Sequence, residues 1–387
     1  MDDVRTGLSY GDALLVPQRS PVDSRSDVDL TTHLTDAIEL ETPLLSAPMD
    51  TVTESELAIA LSAAGGFGTI HRFMEADGQA AEVQAVTDAG ERCGAAIGID
   101  EDYRARAEAV LEAGAACLVV DVAHGHLERT LDAVADLRTV FPDAEIVAGN
   151  VATAEGVRDL AAAGADAVKV GIGPGSHCTT RVVAGAGVPQ LTAVDDCADA
   201  AAELEAAGGG EIRIVADGGI RSSGDAVKAL MAGADTVMMG SLFAGTAEAP
   251  SEVVLIDGTR YKRSRGMATT AAAEDRDDKD GTDDGAATNQ SEGAPGDDPE
   301  DYLPAADEGV EGFTPYKGPV ASVVDEFAAG ICSGLSYCGG ETIPAARENA
   351  AFIAVAGSAK EREGAHGDHE WETVSVDAVG TAGGSDD

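Results

Sequence analysis

Between Glu41 and Ala247 two textures alternate along the chain, and that alternation restricts the fold more than any other feature. Short apolar, often β-branched runs recur at Pro43–Ala47, Gly66–Ile70, Ala95–Ile99, Cys117–Val122, Glu145–Ala148, Ala167–Gly171, Ile212–Ala216 and Thr236–Gly240. Between them lie Ala- and Glu-rich stretches with helical spacing, among them Ser55–Ala64, Arg104–Ala113, Leu127–Val140, Ala154–Ala163, Asp195–Ala207 and Asp225–Ala232. Gly65, Gly114, Gly164, Gly208 and Gly233 mark helix ends, because glycine is favoured just past a helix. Eight strands alternating with helices predict an α/β fold, a parallel (β/α)8 TIM barrel rather than an open sheet.

The residues after each run are polar or glycine: Ser46-Ala-Pro-Met-Asp50, His71-Arg72, Asp100, Asp121-Val-Ala-His124, Gly149-Asn150, Gly171-Ile-Gly-Pro-Gly175, Asp217-Gly-Gly219 and Gly240-Ser241. Barrel enzymes place their chemistry at these C-terminal strand ends. Some of the eight are ordinary turn residues, but the whole set is not explained that way.

Composition excludes several partners. The 387 residues carry 70 Asp and Glu against 25 Lys and Arg, a formal net charge of -45. Such a polyanion does not concentrate on nucleic acid, where binding needs phosphate neutralisation, and anionic membranes repel it. No apolar run reaches the length of a membrane span and no signal-peptide pattern opens the chain, so a cytoplasmic protein is expected. The six cysteines, at 93, 117, 178, 197, 332 and 338, form no CxxC pair and read as free thiols of a reducing compartment. Charge spread over the whole chain reads as halophilic adaptation, since multimolar salt screens self-repulsion that low salt would not.

The last third changes texture. Glu274–Asp301 holds twelve acids and two bases without apolar periodicity, and a disordered, solvated excursion is expected there. Ordered texture resumes at Glu308-Gly-Val-Glu-Gly312, continues through Tyr316-Lys-Gly318, and forms a helix near Val320–Ala329. The expected organisation is one catalytic barrel over 1–358, a disordered acidic flap insertion at 274–301 and a loose polar tail at 359–387.

The densest chemical signal is Gly171-Ile-Gly-Pro-Gly-Ser-His-Cys-Thr-Thr-Arg181. Three glycines and a proline force a tight exposed backbone and leave Cys178 at a loop tip, where a thiolate can be reached. A lone cysteine is more often inert and buried, and the other five are read that way. Asp217-Gly-Gly219 and Gly240-Ser241 close the seventh and eighth strands, where barrels bind phosphate through backbone N–H groups. His124 and His177 sit on the same loops and are expected to line the pocket, with no metal assigned to either.

The Cys178 loop, Gly187-Val-Pro-Gln-Leu-Thr-Ala193, Ala216-Asp-Gly-Gly-Ile220, Met239-Gly-Ser241, Tyr261 to Met267 and Glu308-Gly-Val-Glu-Gly312 together resemble the IMP dehydrogenase/GMP reductase family, over roughly residues 5 to 355. The resemblance implies a barrel, commonly a homotetramer, acting on a purine mononucleotide. It makes Cys178 the nucleophile that attacks purine C2, with Thr180 and Glu308 as a proton relay. It assigns ribose, phosphate and purine contacts to Ser176, Asp217, Gly218, Gly219, Gly240, Ser241, Gly266, Met267, Ala268 and Gly309. Asp121, Val122, Ala123, Ile172 and Gly173 become the nicotinamide side, and Gly173, Gly175, Cys178 and Arg181 a monovalent-cation site for K+. Ser24, Arg25 and Arg72 are candidates for an NADPH 2′-phosphate, because arginine reads phosphate bidentately.

Two reactions share the family scaffold. Dehydrogenases oxidise IMP with NAD and then activate water with an Arg-Tyr pair on a flap; reductases deaminate GMP with NADPH and lack that pair. Here the matching stretch is Asp301-Tyr302, and Ser264 replaces the phosphate-contacting tyrosine that precedes Arg-Gly-Met in dehydrogenases. The paired regulatory insertion typical of dehydrogenases is absent after Ile70-His71-Arg72. Ser24 to Leu30 and Asp121 to Gly125 also resemble reductases, whereas Arg265, Glu308 to Gly312 and Tyr316 to Gly318 resemble dehydrogenases. Arg276 is an alternative source of the missing base. The balance favours NADPH-dependent GMP reductase, with NAD-dependent IMP dehydrogenase as the alternative. A non-catalytic nucleotide-binding regulator is the third reading, which the intact Cys178, Thr180 and Glu308 oppose.

Overall fold

The computed structural model describes residues 4–99, 102–267, 309–357 and 359. The expectations for the acidic segment 274–301, for Ala268 and Glu308, and for the tail from 360 onward lie outside these residues. Ahead of the barrel come β1 (Ala13–Leu15), β2 (Thr32–Thr35) and β3 (Ile38–Leu40). The eight expected strands follow as β4 (Leu44–Ser46), β5 (Phe67–Ile70), β6 (Cys93–Ile97), β7 (Cys117–Asp121), β8 (Ile146–Val151), β9 (Ala167–Val170), β10 (Arg213–Asp217) and β11 (Thr236–Met239). They form a closed parallel barrel, sealed where Val237 of β11 pairs with Leu44 of β4. This is the (β/α)8 architecture that the alternation predicts.

Strand residues obey the period-two rule of a pleated strand. Cys117 and Val119 point into the barrel with Phe67, Val147, Val215 and Met238, while Leu118 and Val120 face the helices. The β2–β3 hairpin carries Leu34, Ile38 and Leu40 into the inner cluster. It sits at the N-terminal end, where Thr32 Oγ1 donates to the Asp235 carbonyl at 2.8 Å, just ahead of β11. One mouth of the barrel is thereby plugged, and the other carries the loops after the strands. Cys93, Cys117, Cys197 and Cys338 are buried, and burial pushes the Cys93 and Cys197 thiols up to about 12. That environment suits structural thiols.

β5 leads within a few residues into the helix Ala76–Asp88, so no module interrupts the barrel there. After β11, β12 (Val253–Ile256), β13 (Thr259–Arg265) and β14 (Glu311–Pro315) form an antiparallel ribbon; β15 (Phe352–Ala354) pairs with β1. The closing helix runs Val320–Cys338, well past the expected Ala329. Its interior glycines obscured it in the sequence and have a packing reason. A Cβ on Gly330 would stand 2.1 Å from Ser223 Oγ, and one on Gly334 2.4 Å from Val227 Cγ2, on the neighbouring helix Ser223–Met231. No helix among the described residues is long and apolar enough to cross a membrane.

Candidate active site

At the open mouth lies a cleft of about 210 Å³. Its walls are Ala47 and Met49 after β4, Pro174–Cys178 after β9, Asp217–Arg221 after β10, Met238–Ser241 at β11, and Gly266 with Met267 beyond β13. The predicted residues Ser176, Cys178, Asp217, Gly218, Gly219, Gly240, Ser241, Gly266 and Met267 are thus brought together from four distant stretches of chain.

The Cys178 loop folds on itself. The Cys178 N–H donates to the Gly175 carbonyl at 3.2 Å, and the exposed Sγ lies 3.1 Å from Thr180 Oγ1. Thr180 opens a one-turn helix, Thr180–Val183, which fixes its hydroxyl beside the thiol. Opposite, Cys178 bridges to Gly309. The Val310 N–H donates to the His177 carbonyl and the Gly266 N–H to the Val310 carbonyl, each at 3.0 Å. Gly309 therefore borders the Cys178 loop.

Each glycine turn has its own task. Gly218 and Gly219 both hold positive φ, 88° and 77°, which only glycine adopts without strain. The Gly218 N–H donates to the Met238 carbonyl at 3.2 Å, so this amide is engaged within the fold, while Gly218 itself lines the cleft. The N–H groups of Gly219 and Ser241 find no acceptor among the described residues and both residues line the cleft. They are the amides suited to an anion.

Beneath the turn lies a charged cluster. Lys169, a lone charge within the apolar run of β9, is 1% exposed, with Nζ 2.7 Å from Asp121 Oδ1 and 2.6 Å from Asp217 Oδ2. Asn150 Nδ2 donates to Asp217 Oδ2 and to the Gly171 carbonyl, each at 2.9 Å. The Asn150 N–H also donates to the Val122 carbonyl at 2.9 Å, which ties the β7 loop to the β9 loop. Exposed Ala123 and half-buried Ile172 and Gly173 therefore share this rim. None of them lines the cleft itself.

Other expectations separate. Ser24 caps a 3-10 turn at Arg25–Asp27, and Asp29 just beyond it bridges to Thr342, past the end of the last barrel helix. Neither Ser24 nor Arg25 is brought to this cleft, because that segment leads into the hairpin at the plugged mouth. Arg72 follows β5 at the open mouth, but its guanidinium lies 5.1 Å above the Phe73 ring and it does not line the cleft. Arg181 acts through its side chain: Nε donates to the Ile172 carbonyl at 3.0 Å and Nη2 to the Val188 carbonyl at 2.6 Å. Part of the loop ordering expected of a cation is done by this guanidinium. His124 is exposed and outside the cleft.

Sequence reasoning missed three features. Lys169 carried a readable signal, a single ammonium in a strand otherwise apolar. The buried pair of Arg265 and Asp50, with Arg265 Nε 2.9 Å from Asp50 Oδ2, joins residues 215 positions apart and had no local signal. His177, read only as a pocket-lining residue, also holds Ser264: its Nε2 is 2.9 Å from Ser264 Oγ, which lies 2.9 Å from Thr314 Oγ1. Burial holds the His177 imidazole below its ordinary value.

Residues 7–366 match the family described as the IMP dehydrogenase / GMP reductase domain. An inosine-5′-monophosphate dehydrogenase of Borreliella burgdorferi is 37% identical over 412 residues, covering 94% of this chain and 97% of that protein. The corresponding protein of Nitrosopumilus maritimus is 36% identical over 475 residues, covering 91% and 96%. A GMP reductase of Leishmania donovani is 32% identical over 495 residues, covering 93% and 96%. Among solved structures, a cysteine-to-alanine variant of Trypanosoma brucei GMP reductase in complex with guanosine 5′-monophosphate superposes with a TM-score of 0.84 at 29% identity, covering 95% of this chain and 99% of that one. Both enzyme names attach to proteins similar to this one along nearly its whole length, and the chain belongs to the IMP dehydrogenase / GMP reductase family of oxidoreductases.

Proposed function

We propose that the protein is an NADPH-dependent GMP reductase, converting GMP to IMP and ammonia through a covalent bond between Cys178 and purine C2. The observation that carries this reading is the Cys178 Sγ beside Thr180 Oγ1, 3.1 Å apart, at the edge of a cleft bordered by the Gly218–Gly219 and Gly240–Ser241 turns. In the proposed sequence the nucleotide phosphate rests on the Gly219 and Ser241 amides with Ser176, and Asp217 accepts from the ribose hydroxyls. The backbone of Gly266, Met267, Ala268 and Gly309 reads the purine. The Cys178 sulfur adds to C2, Thr180 with Glu308 carries a proton to the departing amino group, and ammonia leaves a thioimidate. NADPH, when bound, supplies the hydride that goes to C2, and the C2–Sγ bond then breaks, releasing IMP and returning the Cys178 thiolate.

The rim made by Asp121, Val122, Ala123, Ile172 and Gly173 fits a nicotinamide: it is open, adjoins the Cys178 loop, and is held in place by Asn150. Ser24, Arg25 and Arg72 are the candidates for the 2′-phosphate, Arg72 being the one at the same mouth. The carbonyls of Gly173, Gly175 and Cys178, with that of Arg181, would hold K+. The Gly175 carbonyl accepts one N–H and keeps a second lone pair. A homotetramer in a salt-rich cytoplasm completes the proposal.

The reductase direction rests on Asp301-Tyr302 standing where a dehydrogenase has its Arg-Tyr pair, since an aspartate does not replace the cation that activates water. The dehydrogenase reading is favoured by Arg265 and by relatives of that name at 36% and 37% identity. Two mixtures decide: GMP with NADPH, and IMP with NAD, both in concentrated KCl, followed by absorbance of the reduced cofactor. Loss of NADPH in the first supports the reductase; formation of NADH in the second alone overturns it. Nucleotide binding without turnover in either makes the protein a regulator.

A further inference from the structure

We propose that Lys169 is a positioning residue that holds the carboxylates of Asp121 and Asp217 in place and aimed at the two halves of the site. The inference rests on the reading above, in which Asp217 serves the ribose and Asp121 the nicotinamide side. An ammonium has three donors, and Lys169 has three acceptors: Asp121 Oδ1, Asp217 Oδ2 and Asn150 Oδ1. Its donors are fully used inside the protein, and at 1% exposure it does not reach a ligand. The two aspartates end β7 and β10, on either side of β8 and β9, so one cation fixes side chains from opposite edges of this half of the barrel.

A buried ammonium alone is costly, and burial pushes Lys169 towards its neutral form. The attraction of Asp121 and Asp217 more than reverses this and keeps it charged. The groups facing it are Asp121 from β7, Asn150 from β8 and Asp217 from β10. Without the cation the two carboxylates face each other, and like charges in close quarters repel. One of them then turns away from its place at the site.

The test uses the full chain as Lys169→Met, Asp121→Asn and the double variant, in concentrated KCl. Affinities for GMP and IMP are measured by calorimetry at pH 8, and melting temperatures at pH 5.5 and 8. Lys169→Met is expected to weaken the nucleotide by at least about tenfold, and adding Asp121→Asn to bring it back to within about threefold of wild type. The melting temperature of Lys169→Met should fall from pH 5.5 to 8 more than that of wild type. Two facing carboxylates with no cation between them repel one another more as both lose their protons, so stability is lost as pH rises. Asp121→Asn should remove that extra slope. A lysine serving packing alone would lower melting equally at both pH values and show no rescue, and that result overturns the proposal. If wild type binds neither GMP nor IMP, the functional reading falls while the melting slopes still decide the charge arrangement.

Discussion

Alanine at Gly218 should weaken GMP and IMP about 10- to 150-fold while costing the fold only about 1–2 kcal/mol, and the two effects have different origins. Gly218 has φ 88°, and a left-handed backbone costs an L-residue about 1–2 kcal/mol. The added Cβ would also stand 3.1 Å from Pro174 Cγ and 3.3 Å from the Gly175 nitrogen. Those atoms belong to the Cys178 loop, so either the loop or the glycine turn must shift, and the Gly219 amide moves with the turn. A hydrogen bond to a charged group is worth about 1.5–3 kcal/mol, which gives the 10- to 150-fold range. Gly258 is the control: it has φ 82° at the β12–β13 turn, with nothing within 4 Å of its added Cβ. Gly258→Ala should shift the urea midpoint about as much and leave nucleotide affinity unchanged. Calorimetric titration of both variants reads the difference. Affinity of Gly218→Ala within threefold of wild type, or an equal loss in Gly258→Ala, would refute the assignment of the turn to the nucleotide.

Four further outcomes are expected. Cys178→Ala should abolish turnover with nucleotide binding retained, and Thr180→Val should lower kcat by about 10²- to 10⁴-fold with little change in KM, read by steady-state kinetics. Because burial holds His177 below its ordinary value of 6.5, the unfolded chain binds that proton first as pH falls. Stability should therefore drop from about pH 6.5 downward, and His177→Gln should flatten that limb in melting curves taken between pH 5 and 8. Finally, nucleotide affinity should hold or rise between about 0.1 and 1 M KCl, over which the Debye length shrinks from about 10 to 3 Å. A steep loss over that range would contradict the backbone-amide account.

What could be read from the sequence was what is local. Apolar runs and terminal glycines fixed all eight barrel strands, because both patterns act within a few residues of themselves. The Cys178 loop was legible for the same reason: glycine, proline and threonine there shape their own neighbourhood. The placement of Arg25 was not legible, because its short-range context, a serine and an aspartate, describes a capped turn and nothing about which mouth of the barrel it joins. Lys169 announced a buried charge, yet its partners lie 48 positions away on either side, and only barrel closure brings them together. Asp50 and Arg265, likewise, meet only because a ribbon strand returns over the mouth after β4 has left it.

The charge of -45 looks hostile to a phosphorylated substrate, but distance decides what that substrate feels. In molar salt a charge beyond about 3 Å in solvent is largely screened, whereas contacts inside a walled cleft are not. Around the cleft the buried charges are locally compensated: Arg265 faces Asp50, and Lys169 answers both Asp121 and Asp217. The groups left to meet a phosphate are amide dipoles, whose positive ends carry no counter-acid to compete with them, and the exposed Arg221 that also lines the cleft. A surface arginine cluster would do the same work in dilute solution, but molar salt would screen it along with the acids. On the proposed reading, holding the anion on the backbone of Gly219 and Ser241 would make binding a property of turn geometry, which salt does not dissolve, whatever the acidity of the surface.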